Sequence, residues 1–311
     1  MKKQTLSIVV PVNDEEKTIP IFVARLSEIE LEINDVLFEY WFIDDGSKDD
    51  TLSVIKKIQK SNNRVHYISF SRNFGKESAL LAGLQQATGD FVAVMDVDLQ
   101  DPPELLPEML QGVRDGEWDV VGSRRINRTG EPVLRSFFSN MFYKLVNSVS
   151  ETEFVNGARD FRVMTRQVAD AVLALPEYNR FSKGIFSWVG FRIKYLEFEN
   201  VDRVAGKTSW SFWNLVKYSI EGIVDFSTAP LQLVVGTGIM SFLFAIIGII
   251  FIIIRALVYP GSSVFGWPSL VVIILMIGGV QLISLGVLGR YISGVYTEVK
   301  HRPQFLVREM K

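Results

Sequence analysis

Two aspartates stand two residues apart just after a short apolar run, and this spacing suits a metal site. Asp96 and Asp98 follow the run Phe91–Met95, whose composition is that of a buried strand. At the end of a strand, residues two apart point to the same side of the sheet. Carboxylates are preferred ligands of Mg²⁺ and Mn²⁺, and one such cation could also hold a diphosphate. The pattern predicts a divalent metal at Asp96 and Asp98.

Asp101 has a simpler local interpretation, whereas the pair Asp44 and Asp45 does not. Asp101 precedes Pro102 and Pro103, so we interpret it as the cap of the helix that the prolines begin. Asp44 and Asp45 end a second apolar run. Adjacent carboxylates repel each other unless a cation or a hydrogen-bond donor meets them, so the pair predicts such a partner.

The composition narrows the chemistry further. The chain has 311 residues, 33 Lys and Arg, 35 Asp and Glu, and a formal charge of -2, which argues against a general nucleic-acid binder. It has no cysteine and two histidines, which excludes disulfides and thiolate-held metals and argues against an imidazole-rich metal site. A metal in this protein would therefore have oxygen ligands.

Apolar runs that alternate with helix-like stretches must position these residues. The runs are Leu6–Val10, Tyr40–Ile43, Val65–Phe70, Phe91–Met95 and Val120–Gly122, and the helix-like stretches are Ile19–Ile29, Leu52–Ile58, Ser78–Ala87 and Glu104–Val113. This alternation predicts an α/β domain with a largely parallel sheet, which binds ligands beyond the carboxyl ends of its strands. The first run is followed by Pro11–Glu15 and not by G-x-G-x-x-G, which argues against a nicotinamide enzyme.

Two long uncharged segments follow the α/β region. No ionisable side chain occurs from Leu231 to Ile254 or from Pro268 to Gly289, and each run is long enough to cross a bilayer as a helix. We predict transmembrane helices at about 231–255 and 267–289. The glycines of the second would allow close helix packing, within the chain or between copies.

The membrane segments divide the remaining chain. We expect a cytosolic domain at 1–205, a juxtamembrane interfacial helix at 206–230, with a plain linker helix as the alternative, and a cytosolic tail at 290–311. The excess of Lys and Arg after the second span places both termini in the cytoplasm. The N-terminus lacks the apolar run of a signal peptide.

Taken together, the motifs resemble those of a family 2 glycosyltransferase of the GT-A fold, and more narrowly the bacterial polyprenyl-phosphate (bactoprenol) glucosyltransferases and the related dolichol-phosphate mannose synthases. The resemblance covers nearly the whole chain. It rests on Pro11–Glu15, Asp44–Ser47, Ser71–Glu77, Asp96–Glu104, Gly157–Arg162, Arg203–Lys207 and the two-helix hairpin through Gly279–Gly286. It implies a mostly parallel GT-A sheet flanked by helices, then interfacial helices and a transmembrane hairpin.

The resemblance also implies roles for individual residues around a nucleotide sugar. Pro11 and Glu15 would line the nucleoside pocket, Asp45 would read the base, Lys76 would lie beside the nucleotide, and Arg203 would meet its phosphates. The sequence departs from the family pattern at two places. Asn13-Asp14 stands where Tyr-Asn or Asn-Asn is more usual, and Ser209 stands where a lysine often follows the glycine. The second departure leaves Lys207 as a substitute cation.

The same resemblance implies the catalytic groups, and the residue types themselves suggest the acceptor cations. Asp96 and Asp98 would bind Mg²⁺ or Mn²⁺ and the diphosphate, and Gln100 would face the sugar or the acceptor. Asp160 matches the residue proposed as catalytic base, although it could equally orient the sugar or Arg162. The acceptor phosphate needs positive charge, for which Arg124, Arg125 and Arg162 are the candidates.

The implied reaction is the inverting transfer of glucose from UDP-glucose to undecaprenyl phosphate at the bacterial inner membrane. The alternative donors are UDP-N-acetylglucosamine, UDP-galactose and GDP-mannose, and a non-catalytic membrane scaffold is the competing class. A homo-oligomer is expected, with a tetramer implied by the resemblance, and no nucleic-acid partner.

Overall fold

The computed structural model describes residues 3–33, 35–126, 147, 155–199, 228–258 and 266–311. These residues belong to two compact units. The first comprises Met1–Ser219 together with Arg302–Lys311, and the second comprises Ile220–His301. Arg203, Lys207 and nearly all of the expected interfacial segment 206–230 lie outside the described residues.

The first unit is built on one sheet of eight described strands. They are β1 Gln4–Val12, β2 Val36–Asp44, β3 Val65–Phe70, β4 Phe91–Val94, β5 Val120–Arg125, β6 Ala158–Thr165, β7 Ile193–Phe198 and β8 Val307–Met310. Their order is β7-β5-β6-β4-β1-β2-β3-β8. Four neighbouring pairs are parallel (β1–β2, β1–β4, β2–β3 and β5–β7), and three are antiparallel (β3–β8, β4–β6 and β5–β6). The sheet is therefore mixed. Strands β2 and β3 follow β1 on one side, and β4 lies on its other side.

Helices cover this sheet with apolar faces. They are α1 Thr18–Glu32, α2 Thr51–Ser61, α3 Lys76–Gln86, α4 Leu106–Arg114, α5 Arg166–Leu173 and α6 Ser182–Trp188, with a 3-10 turn at Pro103–Leu105. In α4 the buried residues recur at the spacing of one helix face: Leu106, Met109, Leu110 and Val113. Gly83 lets α3 approach the sheet, because a Cβ there would lie 2.2 Å from Val9 Cγ1.

The expected α/β architecture is confirmed. Each of the five apolar runs contains or overlaps a strand, and each of the four helix-like stretches overlaps a helix. Strands β6, β7 and β8 and helices α5 and α6 were not predicted. The first five residues of β6 include Arg159, Asp160 and Arg162, and this charge conceals the strand pattern.

The C-terminal segment returns to the first unit. Helix α8, Trp267–Val299, continues past Gly289, where the second apolar segment was expected to end. Strand β8 then pairs antiparallel with β3, and Phe305 stacks on Phe70 with ring centroids 4.9 Å apart. The segment expected as a tail at 290–311 is thus divided between the end of a helix and the edge of the sheet.

The second unit consists of two long helices, α7 Ala229–Val258 and α8, which contact each other. Both contain windows long and apolar enough to cross a membrane, Ala229–Gly248 with mean hydropathy 2.0 and Met276–Val299 with 1.3. Large side chains such as Phe242 and Leu282 are exposed. Among the described residues, a Cβ placed on Gly278, Gly279, Gly286 or Gly289 would meet no atom within 4 Å beyond its own stretch of α8.

Candidate active site

The predicted site residues gather where parallel strands end. Strands β1 and β2 end in register at Val12 and Asp44, and β4 runs parallel to β1 on its other side. Strand β1 lies between β2 and β4, and the strand order changes direction at this point. In such sheets the crevice beyond the strand ends is the expected place for a ligand. Pro11 is half-buried near the end of β1.

Uncharged hydrogen-bond donors contact Asp44 and Asp45 at the end of β2. The buried Asp44 carboxylate accepts from the Ser47 N–H at 3.0 Å and from the Ser69 hydroxyl at 2.8 Å. The Asp45 carboxylate accepts from the N–H groups of Phe74 and Gly75 at 2.6 and 2.9 Å. Burial nevertheless raises the pKa of Asp45 above its usual value. The donors expected beside this pair are therefore backbone amides and a hydroxyl.

A glycine allows the segment after β3 to lie against Asp45. Gly46 has a φ of +67°, and a Cβ there would lie 2.4 Å from the carbonyl carbon of Arg72. Because any other residue would collide with this backbone, Gly46 fixes how closely the two segments approach. The Arg72 guanidinium stacks on Phe74 at 3.9 Å from the ring centroid.

Glu15 joins the loops that follow β1 and β2. Its N–H donates to Thr51 Oγ1 at 2.7 Å, and its carboxylate accepts from the Thr18 hydroxyl at 2.7 Å. Asn13 also bridges these loops by donating to the Asp45 carbonyl at 3.0 Å. The nucleoside side of the predicted pocket is therefore a hydrogen-bonded wall.

Lys76 connects a predicted metal ligand, Asp96, with the predicted catalytic residue Asp160. Its Nζ lies 2.6 Å from Asp96 Oδ1 and 2.5 Å from Asp160 Oδ2. Desolvation opposes the charge of the lysine, but Asp160 and Asp96 raise the pKa of Lys76 overall. Burial likewise acts against the charge of Asp160, but Lys76, Lys183 and Arg162 hold its pKa well below the usual range. Both groups are therefore charged at neutral pH.

The residues after Asp96 form a tight turn. Asp98 is buried, and its Oδ1 accepts from the Gln100 N–H at 3.2 Å, while Leu99 has a φ of +57°. In the part of the chain that the structure describes, no three His, Cys, Asp or Glu side chains form a ready metal-binding group. A Mg²⁺-like ion commonly takes one or two carboxylates and completes its shell with substrate phosphates and water. The donor set of Asp96 and Asp98 fits an ion bound in that way.

Asp101 has a partner that the sequence did not reveal, and its interpretation as a helix cap is wrong. Neither the 3-10 turn nor α4 has a side-chain cap. Asp101 instead pairs with Arg159, whose Nε lies 2.8 Å from Oδ1 and whose Nη2 lies 3.4 Å from Gln100 Oε1. Burial raises the pKa of Asp101 to about 6, although Arg159 opposes the rise. This ion pair joins the Asp96–Asp101 segment to β6.

The cations expected to bind an acceptor phosphate already have protein partners. Arg162 is buried, donates to the Asp160 carbonyl at 3.2 Å and stacks on Phe186 at 4.1 Å. Arg124 donates to the Asn156 carbonyl at 3.1 Å and lies 3.6 Å from Glu197. Arg125 is half-buried at the end of β5. Arg162 is therefore placed to support Asp160.

A further acidic residue anchors the start of α3. The Glu77 carboxylate accepts from the Ser182 hydroxyl and from the Ser182 N–H at 3.1 Å, which ties α3 to α6. Burial raises the pKa of Glu77. Lys183, the next residue along α6, acts electrostatically on Asp160. Glu77 was not predicted as a site residue, and its position next to Lys76 was the available signal.

Comparison with known proteins gives a consistent result. Residues 7–173 match the family model described as glycosyl transferase family 2. The chain is 43% identical to the bactoprenol glucosyl transferase of Shigella phage SfV, over 98% of this chain and 99% of that protein. It is 41% identical to the prophage bactoprenol glucosyl transferase homolog of Escherichia coli K12, over 98% of this chain and 99% of that protein.

A solved structure supports the fold. The mannosyltransferase PcManGT from Pyrobaculum calidifontis, in complex with GDP-Man and Mn²⁺, aligns with 96% of this chain and 86% of its own, with a TM-score of 0.50 and 15% identity. At this identity the likeness concerns the fold alone.

Proposed function

Because the chain belongs to glycosyltransferase family 2, we propose that it transfers glucose from UDP-glucose to undecaprenyl phosphate and inverts the anomeric carbon. The relatives named bactoprenol glucosyl transferase, similar over almost their whole length, support this donor and acceptor. The observation that carries the proposal is the charged cluster of Asp96, Lys76 and Asp160 beyond the carboxyl ends of the strands. The apolar helices α7 and α8 suit a lipid substrate.

In this proposal Asp96 and Asp98 hold a divalent cation together with the donor diphosphate. A bound Mg²⁺ or Mn²⁺ would supply Lewis-acid stabilisation of the charge on the leaving UDP. Pro11, Glu15 and Asp45 would line the nucleoside pocket. Arg203 and Lys207, which lie outside the described residues, would add positive charge at the phosphates.

The acceptor needs little help from a base. A phosphate monoester has a second pKa near 6, so its oxygen is already largely deprotonated at neutral pH. Lys76, Lys183 and Arg162 hold the pKa of Asp160 far below neutrality, and such a carboxylate accepts a proton poorly. We assign Asp160 the task of orienting the sugar and the surrounding cations. Gln100 faces the reacting groups, and Arg124 and Arg125 attract the acceptor phosphate.

The proposed setting is the bacterial inner membrane. Both apolar helices would span it, with the sheet domain and both termini in the cytoplasm. This arrangement would place the nucleotide sugar and the polar head of the carrier lipid on the same side. A homo-oligomer, for example a tetramer, could pack through the glycines of α8, which make no close contact in the described part of the chain.

The test is a lipid-product assay with the full chain in detergent. The enzyme is incubated with labelled UDP-glucose, undecaprenyl phosphate and Mg²⁺ or Mn²⁺, and organic-soluble label is measured. Parallel reactions contain UDP-N-acetylglucosamine, UDP-galactose or GDP-mannose, and others contain EDTA. We expect a metal-dependent glucolipid that the Asp98→Ala variant does not form. A larger yield with another donor would replace glucose in the proposal, and no lipid product with any donor would refute the activity.

A further inference from the structure

A lysine occupies the position at which a metal would be expected to contact Asp96. Lys76 Nζ lies 2.6 and 2.8 Å from the two oxygens of that carboxylate and 2.5 Å from Asp160 Oδ2. Without this ammonium the Asp96 carboxylate would lose its ion pair, and Asp160 would lose one of the three cations that act on it. The lysine thus supplies the positive charge that the cluster needs when no metal is bound.

A divalent cation and this ammonium cannot share Asp96 at close range without strong repulsion. Like charges this close repel strongly even near a protein surface, and a doubly charged ion doubles the repulsion. Binding of a metal at Asp96 therefore requires Lys76 to withdraw from that carboxylate. Asp160 offers the lysine a second partner that it already contacts.

We propose that Lys76 is an exchangeable counter-ion for Asp96, an inference that rests on the proposed metal-dependent function. In the metal-free enzyme its ammonium neutralises Asp96 and Asp160 together. When metal and nucleotide enter, the lysine gives up Asp96, keeps Asp160 and turns toward the donor diphosphate. The residue therefore controls how tightly the enzyme binds metal before the nucleotide arrives.

The local structure permits this movement. The Lys76 side chain is 41% exposed and has a flexible four-carbon stem. Its backbone is fixed, because Lys76 begins α3 and the next residue, Glu77, is held by Ser182. The ammonium can thus change partners without any displacement of the helix.

Exchange has a thermodynamic consequence for binding order. Metal alone must displace the lysine from Asp96, whereas a diphosphate brings negative charge that compensates the displaced ammonium. Metal and nucleotide should therefore strengthen each other's binding, and part of this coupling should depend on the charge of Lys76.

The experiment measures Mn²⁺ binding by electron paramagnetic resonance of free Mn²⁺, with the full chain in detergent and with or without UDP. The variants are Lys76→Met and Lys76→Gln, which remove the charge, and Lys76→Arg, which keeps it. Lys57→Met, on the exposed side of α2, controls for the change in net charge. We expect both neutral variants to bind Mn²⁺ alone at least about tenfold more tightly than wild type, and UDP to enhance their binding less. The variants Lys76→Arg and Lys57→Met should resemble wild type.

The outcomes separate the inference from the function on which it rests. If wild type binds Mn²⁺ with UDP but both neutral variants bind Mn²⁺ alone no more tightly than wild type, the exchange is refuted and the proposed function stands. If wild type binds no Mn²⁺ even with UDP, the metal role fails and the exchange fails with it. Thermal unfolding without metal checks folding, and Mn²⁺ should stabilise the neutral variants more than it stabilises wild type.

Discussion

Two groups of carboxylates at the same edge of the sheet are neutralised in different ways. The amide-paired carboxylates, Asp44 and Asp45, accept from backbone N–H groups and a serine hydroxyl. The cation-paired carboxylates, Asp96, Asp101 and Asp160, contact Lys76 or Arg159. The first group joins loops into a fixed wall, whereas the second is neutralised by the side chains of a lysine and an arginine.

The difference indicates which group can respond to a ligand. Backbone amides are part of the fold, so they cannot leave Asp45 unless the loop rearranges. An ammonium on a flexible stem can leave when a stronger cation arrives. We infer that the amide-paired group gives the pocket its shape. In the cation-paired group, Lys76 changes partners when metal and nucleotide bind.

The largest effect should come from the cation-paired group. The variant Asp160→Asn removes the charge that holds Lys76, so we expect transfer to fall on the order of 10²–10³-fold, as for the loss of one strong electrostatic contact in an active site. The lipid-product assay measures this loss. Asp119→Asn is the matched control, because Asp119 pairs with Arg192 beside the amino end of β5 and should leave the rate unchanged.

The pH profile of the variant tests the role of Asp160. If the residue orients groups and does not accept a proton, the remaining activity of Asp160→Asn should depend on pH as wild type does. An acid limb that is present only in wild type would instead identify Asp160 as a base and contradict our assignment.

A second test uses the pKa of Asp101. Burial raises this pKa to about 6 from an ordinary value of 3.8, so between these values the folded protein binds the proton more tightly than the unfolded chain. The contribution of Asp101 to stability should therefore be greatest below pH 4, fall as the pH rises to about 6, and then level off. A rise in pKa from 3.8 to about 6 corresponds to about 3 kcal/mol.

The variant Asp101→Asn cannot lose a proton, so it should lack this fall. Unfolding of both proteins between pH 4 and pH 7 should show the variant gaining stability relative to wild type by about 2–3 kcal/mol. Parallel curves for the two proteins would show that Arg159 already compensates the charge of Asp101 fully.

The sequence alone pointed to carboxylates in both groups, but not to the groups that neutralise them. Apolar runs locate β1 to β5, and Asp44, Asp45, Asp96 and Asp98 stand at or just after the ends of two of them, where ligands bind. Asp160 was assigned from the family resemblance. The partners are distant in sequence: Lys76 is 20 residues from Asp96 and 84 from Asp160, and Arg159 is 58 from Asp101. Such pairs depend on how β4 and β6 align, and a strand as charged as β6 gives no periodic signal.

The amide-paired group should show its effect in donor affinity. In Asp45→Asn one carboxylate oxygen becomes an amide nitrogen, which cannot accept from Phe74 or Gly75. The loop that lines the nucleoside pocket should loosen, and we expect KM for the nucleotide sugar to rise about tenfold, or about 1.4 kcal/mol, with kcat nearly unchanged. A fall in kcat at constant KM would place Asp45 among the groups that act on the transition state.

The smallest effect on catalysis should come from Ser69, which donates a hydrogen bond to Asp44. Its hydroxyl donates to Asp44 Oδ2 at 2.8 Å in a buried setting, so Ser69→Ala leaves that oxygen short of one donor. The cost should be about 1–3 kcal/mol of stability, because a buried acceptor loses its partner while the Ser47 N–H still holds the other oxygen. Thermal unfolding should report this loss, while kcat and KM at a temperature well below unfolding stay close to wild type. If Ser69→Ala instead lowered kcat as strongly as Asp160→Asn, the amide-paired carboxylates would have to share the electrostatic task, and the division between a fixed wall and an exchanging cluster would be wrong.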